Sequence, residues 1–140
     1  MKNKFVKALI SVMTALALCT TPINTYAIDN IEAMKYSDKE IFVNELCAAF
    51  TGNGRKTLND FYDYFIDDVY IEVRNISKSL NLGSVLNVTT DYIKPQYSSN
   101  GDYVIMANTR IVNNSGTNVY ILEFHFNSHG KIYGFNLWQY

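Results

Sequence analysis

ILEFHFNSHGKIYGFNLWQY, residues 121–140, closes the chain and decides how the rest is read. Two runs in which apolar and polar residues alternate flank a polar Asn-Ser-His-Gly turn, the pattern of a β-hairpin with one buried face. Leu122, Phe124 and Phe126, with Tyr120 just before them, share one side of the first run, and Tyr133, Phe135 and Leu137 share one side of the second. Upstream, NNSGTN (113–118) is another polar turn, and Tyr103 to Val112 is another alternating run. On that run Tyr103, Ile105, Ala107 and Ile111 are placed inward, because this choice sends Asn108 and Arg110 to water. Asn87 to Ile93 reads as a further strand, stopped by Pro95 and the polar QYSSNGD (96–102). Short turns between such runs predict an antiparallel meander.

Before the meander the period lengthens. Ser37-Asp38-Lys39-Glu40 has the form of a capping box, and Phe42, Leu46, Ala49 and Phe50 follow at helical spacing until Gly52 and Gly54. Thr57 to Asp60 predicts the cap of a second helix. Its apolar face is Leu58, Phe61, Tyr62 and Phe65, while Asp60, Asp63 and Asp67 lie on a solvated side. Val69, Ile71 and Val73 then alternate with Tyr70, Glu72 and Arg74, which predicts a first strand, and a short third helix is placed before Gly83. Helices first and antiparallel strands last make the class α+β.

The beginning of the chain has the order of a secretory leader: basic Lys2, Lys4 and Lys7, an apolar core from Ala8 to Cys19, and small-residue spacing at Thr25-Tyr26-Ala27. The division expected is a signal peptide at 1–27 cleaved near Ala27, a flexible lead-in at 28–36 and one domain at 37–140, secreted or otherwise extracytoplasmic. The whole chain has a formal net charge of −1, and losing three leader lysines makes the remainder more acidic. That disfavours nucleic acid, whose phosphates require basic patches. No later apolar run approaches the length of a membrane span. With Cys19 in the leader, Cys47 is left without a disulfide partner and is read as a small buried hydrophobe.

Two stretches carry a resemblance. NELCAAFTGNGRKTLNDFYDYFIDDVYIE (44–72) and LEFHFNSHGKIYGFNLW (122–138) resemble the two ends of the nuclear transport factor 2-like superfamily, which includes ketosteroid-isomerase-like and polyketide-cyclase-like domains. The resemblance implies helices packed on a curved antiparallel sheet that forms a cone, commonly with a ligand cavity. Phe42, Leu46 and Phe65 would close that cone, and Val73, Tyr103, Tyr120, Leu122, Phe124 and Phe135 would line its pocket. It also implies sheet-mediated pairing, here through Val104, Met106, Val119, Ile121, Ile132 and Trp138 on the opposite face. The catalytic pattern of the isomerase-like members does not carry over. Their base position falls on Val73, their first-helix tyrosine on Glu45 and their later donor on Leu122. Glu72 and Glu123 each stand one residue away, so a one-residue slip would turn both inward.

The expected role is therefore a non-catalytic bacterial domain that binds a small apolar ligand or a peptide, or interacts with protein, as a homodimer. One alternative is an isomerase- or cyclase-like enzyme with Glu45 and a tyrosine, Tyr62 or Tyr103, as acid–base pair. Another is a subunit of an export or cell-surface assembly. No cofactor is expected. A metal site at Glu123, His125 and His129 lacks an evident third fixed ligand, so none is expected.

Overall fold

The computed structural model describes residues 30–140, apart from Asn81 and the side chain of Tyr92. The leader, its cleavage point and the first residues of the lead-in lie outside the described residues. Helix α1 spans Tyr36–Thr51, a 3-10 helix spans Leu58–Tyr64, and helix α2 spans Asp67–Ser79. Strands β1 (Val85–Tyr97), β2 (Tyr103–Asn113), β3 (Gly116–Phe126) and β4 (Ile132–Gln139) follow. They form a four-stranded antiparallel sheet in the order β1-β2-β3-β4. The class is α+β, with the helices packed on the sheet.

The meander matches its sequence pattern. Tyr103, Ile105, Ala107 and Ile111 are buried on β2, and Tyr120, Leu122, Phe124 and Phe126 on β3. Cross-strand partners Ala107–Leu122 and Ile105–Phe124 stack these rows on one face. β1 runs further than expected and takes Pro95 into its ladder opposite Ile105. Proline has no amide hydrogen, and an edge strand is the place in a sheet where that loss is tolerated.

The helices differ more. The segment 69–74, expected as a strand, lies within α2. Val69, Tyr70 and Val73 are buried and Ile76 packs on them, which is helical spacing, while Ile71 is 56% exposed. The same residues satisfy a period of 2 only if Ile71 is counted as core. Asp67 and Asp68 in the first turn and Lys78 in the last suit the helix dipole. The second expected helix is 3-10 in form, with three residues per turn. Leu58 and Phe61 therefore share the buried side with Tyr64, and Tyr62 turns outward. Its cap is present: the Asp60 carboxylate accepts from the Thr57 amide (2.7 Å) and hydroxyl (2.9 Å). The capping box at Ser37 is not formed, because α1 begins at Tyr36 with Lys35 as its cap residue.

Where it is described, the lead-in touches the domain. Ile31 is fully buried in the core, the Lys39 ammonium donates to the Glu32 carbonyl (2.7 Å), and Tyr97 donates to the Glu32 carboxylate (2.6 Å). One apolar side chain at 31 is enough to dock the segment onto the domain. Gly130, at φ 74°, completes this contact: a Cβ there would come within 3.3 Å of Asn30 Cα.

Gly52 ends α1 in the left-handed conformation (φ 76°). Gly54 is needed for a different reason. A Cβ at 54 would lie 2.9 Å from the Lys56 carbonyl oxygen and 3.0 Å from the Ala49 nitrogen, both backbone atoms that cannot swing away. Gly54→Ala is expected to lower stability by about 1–3 kcal/mol, read from the urea midpoint. Gly83→Ala, with open space around it but φ 65°, separates backbone strain from collision.

Candidate functional site

The sheet has two unlike faces. The inner face meets the helices through aromatic contacts. Phe135 lies 5.3 Å from Phe50 of α1 and 5.4 Å from Phe124, and Phe42 lies 5.7 Å from Phe61 and 4.8 Å from Tyr64, between ring centroids. The nine residues expected to line a pocket (Phe42, Leu46, Phe65, Val73, Tyr103, Tyr120, Leu122, Phe124 and Phe135) all sit in this one core, none more than 8% exposed. Their side chains are closed to bulk solvent. They pack as protein interior.

The outer face carries a row of three across β2, β3 and β4: Met106, Glu123 and Asn136. Beside it lies a second row, Asn108, Ile121 and Trp138. Arg110 and Val119 follow, with the Tyr140 amide donating to the Val119 carbonyl (2.9 Å). Trp138 is 45% exposed, and Met106, Val119 and Ile121 are half-buried. Two of the six residues expected on this face are not available there. Val104, flanked in register by Gln96 and His125, is buried. Ile132 is fully buried on the inner side. The cause is a bulge: His125 pairs with Gly134 but Phe126 pairs with Ile132, so Tyr133 is an extra residue and Ile132 joins the Phe126 row. Tyr133, expected inward, instead stands edge-on to His125 at 6.0 Å and donates to Asp102 (2.6 Å), a bond that raises its phenol pKa.

At the Glu123 end of this face is a polar cluster that alternation alone does not show. His125 Nε2 lies 2.5 Å from Glu123 Oε1, and Asn136 Nδ2 donates to the same oxygen at 2.9 Å. Glu123 is thereby held on the outer face, not turned inward, and Glu72 is exposed on α2. His129 sits in the exposed β3–β4 turn with the Ser128 hydroxyl 3.5 Å from its Nδ1. Among the described residues no three His, Cys, Asp or Glu side chains gather as a metal site.

The three catalytic candidates are not brought together. Glu45 pairs with Lys56 at 2.5 Å, half exposed, in a cleft with Asn44, Ala48, Gly54, Arg55 and Val88. Tyr62 belongs to another cleft and donates to Asp67 Oδ1 (2.7 Å), which raises its phenol pKa. Tyr103 is in the core, its hydroxyl without a partner among the described residues and its ring 5.0 Å from the Lys39 ammonium. Cys47 is fully buried, as read from its apolar run, and burial pushes its thiol up to about 11 against weaker opposing bonds from Thr109 and Thr90. A thiol in that state is not a nucleophile near neutral pH.

Among the described residues no helix is long and apolar enough to cross a membrane. No protein-family model matches the chain, and no curated protein is similar to it. Among solved structures, a de novo designed β-sheet protein determined by solution NMR aligns with 74% of this chain and 90% of its own. Its identity is 12% and its TM-score 0.48, a likeness too slight to assign a fold family.

Proposed function

We propose that the protein is an exported, non-catalytic interaction domain that works through the outer face of its sheet, with a second copy as partner. The observation that carries this reading is the apolar patch around Ile121 and Trp138, on the side of the sheet turned away from the helices. Trp138 is exposed there and Met106, Val119 and Ile121 are half-buried around it, so the apolar atoms are contiguous and not scattered, the arrangement that marks a contact surface. The nine expected pocket residues are buried together in one core, which favours the sheet face over a site between sheet and helices, and the separation of Glu45, Tyr62 and Tyr103 argues against an acid–base pair. The Glu123–His125 end of the patch is polar, and the other end carries Arg110. Both ends are satisfied within the chain, Arg110 by Asp91 at 2.9 Å and Glu123 by His125 and Asn136, so the apolar centre carries the reading and the charges do not. The superfamily reading, with its curved cone, rests on the order of helices before meander. It loses the family's first strand to α2, which places Val73 in a helix.

Sedimentation equilibrium tests this. Wild type is expected to dimerise with a Kd below about 10 μM, and Ile121→Asp to weaken it by about a hundredfold or more. Trp138 emission should shift to the blue as wild type is concentrated and stay unshifted in the variant. A monodisperse monomer at about 100 μM, with Trp138 still quenched by solvent, would sink the proposal.

A further inference from the structure

A second surface feature stands apart from the sheet. A cleft of about 540 Å³ opens between the 3-10 helix and α2, lined by Thr57, Leu58, Asn59, Tyr62, Tyr70 and Arg74. We infer that this cleft is a binding site for a neutral carbohydrate, such as the end of a short glycan.

Its walls are fixed before any ligand arrives. Tyr62 is tethered through its hydroxyl to Asp67, and its ring meets Tyr70 edge-on at 4.9 Å. Tyr70 is braced in turn by Phe65, 5.9 Å away and buried. Thr57 is held by the two bonds to Asp60. Asp67, Tyr70 and Arg74 are spaced i, i+3 and i+7 along α2 and so lie on one face. Arg74 is exposed, and among the described residues it forms no ion pair. A guanidinium with five donors therefore stands at the rim of a tyrosine-walled cleft with no claimant.

The ligand class follows from what the cleft offers and refuses. The Tyr62 ring, 41% exposed and backed by buried Tyr70, presents flat apolar surface, which suits the C–H face of a sugar ring. The Arg74 fork and the Asn59 amide suit hydroxyl groups. The volume falls within the range of small-molecule sites. Asp60 and Asp67 flank the cleft, each held by a cleft residue, and Lys56 beside it is paired with Glu45, so the local charge is mixed and offers no cluster of free cations for a multiply charged anion such as phosphate. The site does not involve the sheet face, so it stands or falls separately from the dimer.

The full chain titrated with chitotriose and cellotriose, followed by amide NMR shifts, tests the assignment. Saturable shifts confined to 57–62 and 70–74 are expected with at least one trisaccharide below about 10 mM. Arg74→Gln should weaken binding at least about tenfold with an unchanged far-UV spectrum, and Tyr62→Ala should do the same. Tyr62→Phe keeps the ring and should keep most of the affinity, which guards against a folding artefact in the alanine variant. No saturable shift up to about 10 mM, binding indifferent to both Arg74→Gln and Tyr62→Ala, or tighter binding of inorganic phosphate than of either sugar would each overturn it.

Discussion

Phe124→Ala should lower the folding free energy by about 3–5 kcal/mol, the usual loss when a large buried aromatic is truncated and its space does not collapse. Phe124 is fully buried on β3, opposite Ile105 and Phe135, and stacks on the Phe135 ring that also meets Phe50 of α1. It therefore joins sheet to helix layer. Domains of this size have about 5–15 kcal/mol in total, so the variant should be partly unfolded at 37 °C. The urea midpoint should fall sharply with an unchanged slope. Trp138→Ala, on the exposed face, should move it by no more than about 0.5 kcal/mol when the protein is dilute enough to be monomeric. A loss near 1 kcal/mol at Phe124 would mean that the side chain borders an open cavity, and the ligand-pocket reading would return.

The second large effect is one of pH. Cys47 stays protonated in the folded protein until about pH 11, whereas a thiol in the unfolded chain ionises from about 9.0. Between those values the unfolded chain binds fewer protons, so stability falls as pH rises. The contribution is complete below about pH 9 and is lost by about pH 11. Two pKa units correspond to about 2 to 3 kcal/mol. Tyr62, Tyr97 and Tyr133 hold raised phenol pKa values through Asp67, Glu32 and Asp102, and they push in the same direction. The thiol is isolated by comparison. Cys47→Ala should be less stable than wild type at pH 8, and the gap should narrow by about 2 kcal/mol by pH 11. A gap independent of pH would show that the thiol is wetted in the native state.

The meander was legible because its turns and its alternation agree. Asn-Ser-Gly at 114–116 and Asn-Ser-His-Gly at 127–130 stand where the chain reverses, and each intervening run keeps one apolar side. Two local devices hid the rest. The bulge at Tyr133 changes sides without changing composition, so Ile132 and Tyr133 exchange their expected places. At 67–76 the apolar residues satisfy both periods, and only tertiary packing selects the one that buries Tyr70 and leaves Ile71 in water. The Tyr62–Tyr70–Arg74 cleft depends on that helix. Read as a strand, the segment separates Tyr70 from Arg74 by two more pleats and places no wall opposite Tyr62. Tyr62 leaves the core because a tighter helix turns it out, a difference that the spacing of Leu58, Phe61 and Phe65 does not reveal.

Pro95 sits in the ladder of a thirteen-residue strand whose far side is the rim of the sheet. Such a rim invites recruitment of another chain's strand and, from there, fibrous growth. An incoming backbone docking along β1 would find a rung with no hydrogen to share at 95, next to the exposed, charged Lys94. Among the described residues, Pro95 therefore breaks the row of donors along the open edge of β1, which makes that edge a poorer template for another strand than the length of β1 alone would suggest.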